Sequence, residues 1–367
     1  MRVIVTGGGT GGHIYPALAI AEGLAGAGCE ILYVGTRDGM EARIVPAAGF
    51  AFRGVSGRGL PRRLSPALIK AAGAAGQALW ETKRILKEFS PDLVVGTGGY
   101  VSGPVVLSAA FFGIPTAVHE QNALPGLTNR VLGRVTRTVL LTFAESSEYY
   151  KNRKNVHVTG LPVRPAIGAP ARAEGAALFG LDARKPVLLV TGGSRGALSL
   201  NRAVLALLPR LAEREEVQLL WATGRETHEE IMAELAAAGP EAERPGWRVL
   251  PYLDEMPAAL AAADICLARA GAATLAELAA AGRAAILVPY PHAAGNHQEF
   301  NAAAFAAKGA ALVVHDRDIT ADALWTRVTA LLADPARRAD MGERARGVFP
   351  PDALRNIVGI LQETAWH

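Results

Sequence analysis

The sequence predicts two parallel, doubly wound α/β domains in one chain, and three observations carry that expectation. At 367 residues the chain exceeds the roughly 250–300 residues at which a single hydrophobic core stops growing. Short apolar runs alternate with longer amphipathic stretches, the βα pattern of a parallel sheet. After a proline-rich connection from Gly160 to Pro170 the pattern restarts, so the halves are similar in plan.

The first half reads RVIV and then a helix from His13, EILYVG and a helix near Met40, DLVVG and a helix from Ser102, PTAVH and a helix near Leu127. The second half opens on KPVLLVTGGSRGALSLN and continues through VQLLWATG, WRVLPYL, DICLARAG, AAILVPY and ALVVHD. Two Rossmann-like halves of this kind bind ligands outside the carboxyl ends of their strands, so facing halves would form a cleft. From Pro350 to Ala365 a last helix is expected after a Pro-Pro break, with the option of crossing back onto the first domain.

Half of the residues are apolar and 20% are charged, which suits buried cores and excludes a disordered chain. From Met1 to Arg164 there are 18 basic against 10 acidic residues, a net +8, and the remainder has 20 against 24, a net −4. A basic half points to nucleic acid, an anionic membrane or an acidic substrate. Without zinc ligands, an aromatic platform or a long Lys/Arg run, nucleic acid is the poorest of these. Cys29 and Cys266 lie far apart with no metal-ligand spacing, and reduced, packed thiols are expected. No basic n-region with an apolar h-region precedes the first strand, which predicts a cytoplasmic address. The apolar stretch from Val105 to Val118 is broken by Gly113 and Pro115 and is too short to span a bilayer, so membrane contact would be peripheral.

The motifs sit at strand ends. Thr6-Gly7-Gly8-Gly9-Thr10-Gly11-Gly12-His13 joins the first strand to the first helix, where glycines admit a close approach and the helix N-terminus offers N–H donors to an anion. It lacks the Lys-Ser/Thr of a P-loop, and no acidic residue closes EILYVG, which argues against ATPases and NAD enzymes. His13 stands where a helix N-terminus favours the neutral imidazole a general base needs, although a capping or core histidine fits the same place. Thr191-Gly192-Gly193-Ser194-Arg195-Gly196 repeats the design in the second half, with the Ser194 hydroxyl suited to a phosphate oxygen. In Ala268-Arg269-Ala270-Gly271-Ala272-Ala273-Thr274-Leu275-Ala276-Glu277 a strand again runs into a helix. There Glu277 either binds the two hydroxyls of a ribose or only stabilises the helix start.

Polar residues crowd two more strand ends, Gly98-Gly99-Tyr100-Val101-Ser102-Gly103 and His119-Glu120-Gln121-Asn122. They suit sugar hydroxyls, and no Ser or Cys has the strand-turn-helix setting of a nucleophile. Between Arg53 and Lys87, the basic residues Arg58, Arg62, Arg63, Lys70, Lys83, Arg84 and Lys87 interleave with Leu60, Leu64, Leu68, Ile69, Leu79 and Trp80. Such a segment either lies on anionic lipid or is an ordinary amphipathic helix. Asp316-Arg317-Asp318 is spaced like the Asp-x-Asp metal site of other sugar transferases but follows the last strand of the second half, and no metal is expected there.

Together, GGTGGHIYPALAIAEGL, TGGYVSGP, HEQNALPGLTNR, VTGLPVRP, GGSRGALSLN and RAGAATLAELAAAGRAAILVPYPHAAGNHQEFNA closely resemble the MurG-type family of bacterial N-acetylglucosaminyltransferases, in that family's order and over nearly the whole chain. HEQN followed by GLTN, and the block from AGAATLAE to NHQEFN, are its specific parts.

The resemblance implies a GT-B glycosyltransferase fold with a domain 1–163 for the acceptor and the membrane, a domain 164–349 for the donor, and the segment 350–367 packed back on the first. It implies an inverting, metal-independent transfer without cofactors, from UDP-N-acetylglucosamine to the 4-hydroxyl of lipid I, giving lipid II for peptidoglycan synthesis at the cytoplasmic membrane face. By family pattern the donor is held by Ser194, the backbone at Leu253, Ala272, Ala273, Thr274, Leu275, Ala276, Glu277 and Gln298, with Arg164, Asn122, Thr10, Gly11 and Gly12 contributing. Gly9, His13, Tyr100, His119 and Asn129 fall on the acceptor side. His13, or a carboxylate such as Glu120, takes the acceptor proton. Arg195 departs from the family's usual Gln, and His297 precedes Gln298 where some relatives pair two glutamines. Another lipid glycosyltransferase of the same fold, a UDP-N-acetylglucosamine 2-epimerase and a non-catalytic nucleotide-sugar module are the rivals. HEQN and NHQEFN weigh against the first, the basic apolar patch against the second, and sensitivity to loss of His13 would exclude the third.

Overall fold

The computed structural model describes residues 1–57, 66–150, 154–164, 166–237 and 244–366, with the backbone alone for 66–75. The chain divides into two compact units, Met1–Pro162 with Pro350–His367, and Val163–Phe349. The first change of unit thus falls one residue before the position expected from sequence.

In the first unit a seven-stranded sheet runs in the order β3-β2-β1-β4-β5-β6-β7, and all its pairings are parallel. The strands are β1 Arg2–Thr6, β2 Glu30–Thr36, β3 Ala51–Val55, β4 Leu93–Gly96, β5 Thr116–Glu120, β6 Thr138–Leu141 and β7 Val156–Val158. Central strands such as RVIVT and LVVG are buried on both faces, as a sheet covered by helices on each side requires. The helices are α1 Gly11–Gly26, α2 Glu41–Ala47, α3 Pro66–Phe89, α4 Ser102–Phe111 and α5 Leu127–Leu132. Apolar clusters lie on either side of the sheet, one built on Val3, Val5, Ile14 and Ile20, the other on Ile4, Val94, Val105 and Val118.

The last helix, α14 (Ala353–Trp366), buries Ile357 and Leu361 in the first of these clusters. Gly23 on α1 makes room for it, since a Cβ there would stand 2.7 Å from Leu354 Cδ1. Thr364 Oγ1 then meets Thr138 Oγ1 at 2.8 Å, and Arg137 donates to the Thr364 carbonyl.

The second unit repeats the plan with six parallel strands in the order β10-β9-β8-β11-β12-β13. They are β8 Val187–Thr191, β9 Gln218–Ala222, β10 Trp247–Leu250, β11 Ile265–Ala268, β12 Ala284–Leu287 and β13 Ala311–Val313. The helices are α6 Arg172–Leu178, α7 Leu198–Ala212, α8 His228–Ala237, α9 Met256–Ala262, α10 Ala272–Ala281, α11 His297–Ala307, α12 Ala321–Leu332 and α13 Pro335–Arg346. Strand order reverses beside β1 in one sheet and beside β8 in the other. Crevices for ligands open at such switch points, and both glycine-rich loops leave the sheets there. Cys29 is partly buried, Cys266 is fully buried on β11, and both are free thiols.

Candidate functional site

In the first unit the switch point brings together the ends of β1, β4 and β5. Gly8 and Gly99 meet backbone to backbone, for a Cβ on Gly99 would stand 2.2 Å from the Gly8 carbonyl oxygen, and Gly99 holds φ at 80°. Only glycine fits such a contact. Helix α1 starts at Gly11, two residues earlier than expected, with Thr10 as its N-cap. His13 is thereby set on the first turn.

The His13 Nδ1 lies 3.2 Å from the Gly8 carbonyl oxygen and 3.3 Å from Thr10 Oγ1. A carbonyl accepts only, so Nδ1 carries the proton, and in the neutral ring Nε2 is then the acceptor nitrogen. Thr97 Oγ1 donates to the His13 carbonyl at 2.8 Å, which pins the backbone beneath the ring. The Nε2 edge faces Gly98, where a Cβ would come within 3.2 Å of Nε2 and 3.3 Å of Asn129 Nδ2. His13, Gly98 and Asn129 are therefore neighbours. Tyr100 packs its ring over Gly9.

Two of the candidates, at the end of β5, are enclosed by the protein. His119 is completely buried, its Nε2 donating to the Gly160 carbonyl at 3.0 Å and its Nδ1 accepting from Gln121 Nε2. Both nitrogens are engaged inside the protein and tie β5 to the turn after β7. Glu120 is 1% exposed. Its Oε1 accepts from Asn122 N and Nδ2, and its Oε2 accepts from Gly126 N and Asn129 Nδ2, all at 2.9–3.2 Å. A carboxylate so enclosed holds the loop 122–126 and orients Asn129. Asn129 also donates to the His119 carbonyl, and its buried Oδ1 has no hydrogen-bond partner among the described residues.

Burial pushes the His119 pKa down from 6.5 to about 4, because the charged ring would be desolvated. The unfolded chain thus takes up a proton near pH 6.5 that the folded chain refuses until near pH 4. Stability is full above pH 6.5 and drains away as the pH falls through that window, by a loss on the order of 2 kcal/mol at pH 4.5. Thermal melts of the wild type and His119→Gln between pH 7 and pH 4.5 should show the wild type losing stability faster. Parallel pH profiles would refute this assignment.

Sequence reading missed Glu41. It is fully buried beneath the first glycine loop, accepting from Gly9 N, Thr36 N and Thr36 Oγ1. Its partner loop lies 32 residues away in the chain, and no local signal marks it.

In the second unit Arg164, Ser194, Tyr252, Leu253, Thr274 and Glu277 line one pocket. Ser194 stands in the loop after β8, and Thr274 and Glu277 on the first turns of α10. The opening N–H groups of α10 have no intrahelical partner and are the natural donors to an anion. Leu275 and Ala276 point into the core and are at most 3% exposed, so only their backbone is available to a ligand.

Arg164 Nε and Nη2 approach Glu277 Oε1 at 2.9 and 2.8 Å. Burial pushes the Glu277 pKa up and the Arg164 charge opposes that shift. Gln298 on α11 accepts from Tyr290 N through Oε1, and His297 Nδ1 contacts the Ala294 carbonyl. Thr10, Gly11, Gly12 and Asn122 belong to the first unit, so their donor assignment rests on resemblance.

Arg269 is the second residue to which the sequence assigned no role. It is 6% exposed and donates to the Val288 and Pro289 carbonyls, Asp316 Oδ1 and Ser199 Oγ. This clamp fixes the strand end before α10 and gives Asp316 a structural partner. Among the described residues no cluster of His, Cys, Asp and Glu has the arrangement of a metal site.

Elsewhere on the first unit, Phe111 (85% exposed), Phe112, Trp80 (66% exposed), Leu79, Leu107 and Val135 form an apolar surface with Lys83 among them. Arg84 and Lys87 lie beside Trp80. Arg58, Leu60, Arg62, Arg63 and Leu64 lie outside the described residues, as do the side chains of Leu68, Ile69 and Lys70.

Comparison with known proteins agrees with this layout. Residues 3–141 match the glycosyltransferase family 28 N-terminal domain and residues 187–357 its C-terminal domain. The chain is 56% identical, over all of both chains, to a UDP-N-acetylglucosamine--N-acetylmuramyl-(pentapeptide) pyrophosphoryl-undecaprenol N-acetylglucosamine transferase of Desulfitobacterium hafniense. A protein of the same description from Moorella thermoacetica is 46% identical over 99% of each chain. The crystal structure of Acinetobacter baumannii MurG matches 99% of both chains with a TM-score of 0.78 at 30% identity. A UDP-N-acetylglucosamine 2-epimerase, at 13% identity and a TM-score of 0.64 over 100% of this chain and 97% of that one, shares the fold alone. With two Rossmann-like units, a glycine loop at each switch point and this full-length identity, the chain belongs to the MurG family of glycosyltransferases.

Proposed function

We propose that the chain transfers N-acetylglucosamine from UDP-N-acetylglucosamine to the muramyl 4-hydroxyl of undecaprenyl-pyrophosphoryl-N-acetylmuramyl-pentapeptide, the step that completes the lipid-linked disaccharide for peptidoglycan. The observation that carries this reading is the 56% identity over the full length of a transferase described by that reaction. The pocket with Ser194, Thr274 and Glu277 supports a nucleoside diphosphate in the second unit, and the His13 tautomer supports proton removal in the first.

The reaction is a single displacement. His13 Nε2 takes the 4-hydroxyl proton as that oxygen bonds to the anomeric carbon, the bond from that carbon to the diphosphate breaks, and UDP departs with the electron pair. Inversion follows from attack opposite the leaving group. Arg164 and the first turn of α10 stabilise the charge gathering on the diphosphate. Purified protein with radiolabelled UDP-N-acetylglucosamine, a lipid I analogue and EDTA should form the disaccharide. Absence of product would overturn the function, and product appearing only with magnesium would overturn metal-free transfer.

The acceptor's lipid tail requires access to a membrane, although no helix among the described residues is long and apolar enough to cross one. The aromatic surface at Phe111, Phe112 and Trp80, flanked by Lys83, Arg84 and Lys87, supports peripheral binding to the anionic cytoplasmic leaflet. Phe111→Ser with Trp80→Ser should cut co-sedimentation with vesicles containing phosphatidylglycerol by about tenfold, while turnover of a water-soluble acceptor stays unchanged. Undiminished vesicle binding would move the membrane face elsewhere.

A further inference from the structure

Arg195 belongs to the loop that opens the donor pocket, yet its guanidinium faces an acidic residue of the next loop. Nε donates to Glu226 Oε1 at 2.8 Å and Nη2 to Glu226 Oε2 at 3.1 Å. This fork on two oxygens is the geometry a phosphate also offers. The two loops are locked together, since a Cβ on Gly224 would stand 2.0 Å from Gly196 Cα and Arg225 N donates to the Ser194 carbonyl. Glu226 is thus held within reach of Arg195 by backbone rather than by the ion pair.

The pair is open to water, the Arg195 side chain being 81% and Glu226 58% exposed. Exposed pairs contribute little, so a more highly charged anion displaces the carboxylate readily. Two other arginines near this loop make other contacts. Arg164 is braced by Glu277, and Arg225 lies over the Tyr252 ring at 4.4 Å. Among the described residues Arg195 has Glu226 as its side-chain hydrogen-bond partner. Its neighbours Gly193 and Ser194 line the pocket, and the space above Gly193 is clear.

We infer that Arg195 is a diphosphate-binding residue parked on Glu226, which it leaves when the nucleoside diphosphate enters. This rests on the donor reading of the pocket. Glu226 stands in for the diphosphate, lowers donor affinity by competing for the guanidinium, and makes affinity depend on salt beyond what the helix ends supply.

Calorimetric titration of the full chain with UDP and with uridine, at low and high salt, tests the exchange. Arg195→Gln should weaken UDP binding about five- to tenfold and flatten its salt dependence. Glu226→Gln should tighten UDP binding about two- to fivefold. Neither should change uridine binding, and circular dichroism should match the wild type. Equal UDP affinity in wild type and Arg195→Gln, or weaker UDP binding in Glu226→Gln, overturns the exchange while leaving the donor pocket in place. A wild type that binds neither UDP nor uridine overturns both.

Discussion

Replacing His13 by Ala should lower turnover about 100- to 10 000-fold, the range a positioned general base contributes, and leave the affinity for UDP unchanged. The expectation rests on the anchors that hold the backbone here. The backbone at this position is held by Thr97 through the His13 carbonyl, and α1 begins two residues earlier at Gly11. Both anchors survive the loss of the ring. The ring itself donates from Nδ1 to the Gly8 carbonyl, so Nε2 is the atom that accepts a proton. His13→Gln keeps a polar group of similar reach without a basic nitrogen, and it should be equally inactive. Steady-state kinetics with a soluble acceptor, beside donor titrations, separate the two parameters. Turnover within threefold of wild type in His13→Ala would transfer the role to another group.

Much of this architecture was legible because parallel strands buried on both faces are continuous apolar runs. VLLVT, QLLWA, ICLA and AAIL have every residue buried, and the reading found all six strands of the second unit. It missed three in the first. AFRGV and VHV are edge strands with largely unburied residues, and TVLL has only four residues behind an Arg-flanked turn. The glycine loops were legible from composition, since close backbone contacts such as Gly99 on Gly8 demand glycine.

The polar interior was not legible. HEQN has the composition of an exposed binding rim, and its burial depends on the 122–126 loop folding back onto Glu120. Glu41 under Gly9 and Arg269 on Asp316 are likewise contacts between distant segments. Sequence pattern reports which strand end a residue occupies, whereas tertiary contacts decide whether its side chain faces the ligand or the protein.

Glu120→Gln separates those two roles and should destabilise the first unit by about 2–3 kcal/mol, a fall in melting temperature of roughly 4–12 °C. Burial pushes the pKa of this carboxyl up, and the four donors around it pull the other way. Every one of its neighbours is a donor, so the shell is built for acceptors only. An amide brings one oxygen and one NH₂ group, and neither orientation fits. With the NH₂ at the Oε1 position it confronts Asn122 N–H, and at the Oε2 position it confronts Gly126 N–H. Backbone donors cannot flip as an Asn side-chain amide can, and Asn129 is further held by the His119 carbonyl. Each orientation therefore leaves a buried backbone N–H facing another donor. Asn129 and the loop should shift, lowering kcat/KM for the acceptor about 10- to 100-fold with UDP affinity unchanged. A general base would behave otherwise, since its isosteric amide would abolish turnover while the melting temperature held. Glu120→Gln with wild-type stability and no activity would return the catalytic role to this carboxylate, and thermal melts beside acceptor kinetics decide between the two.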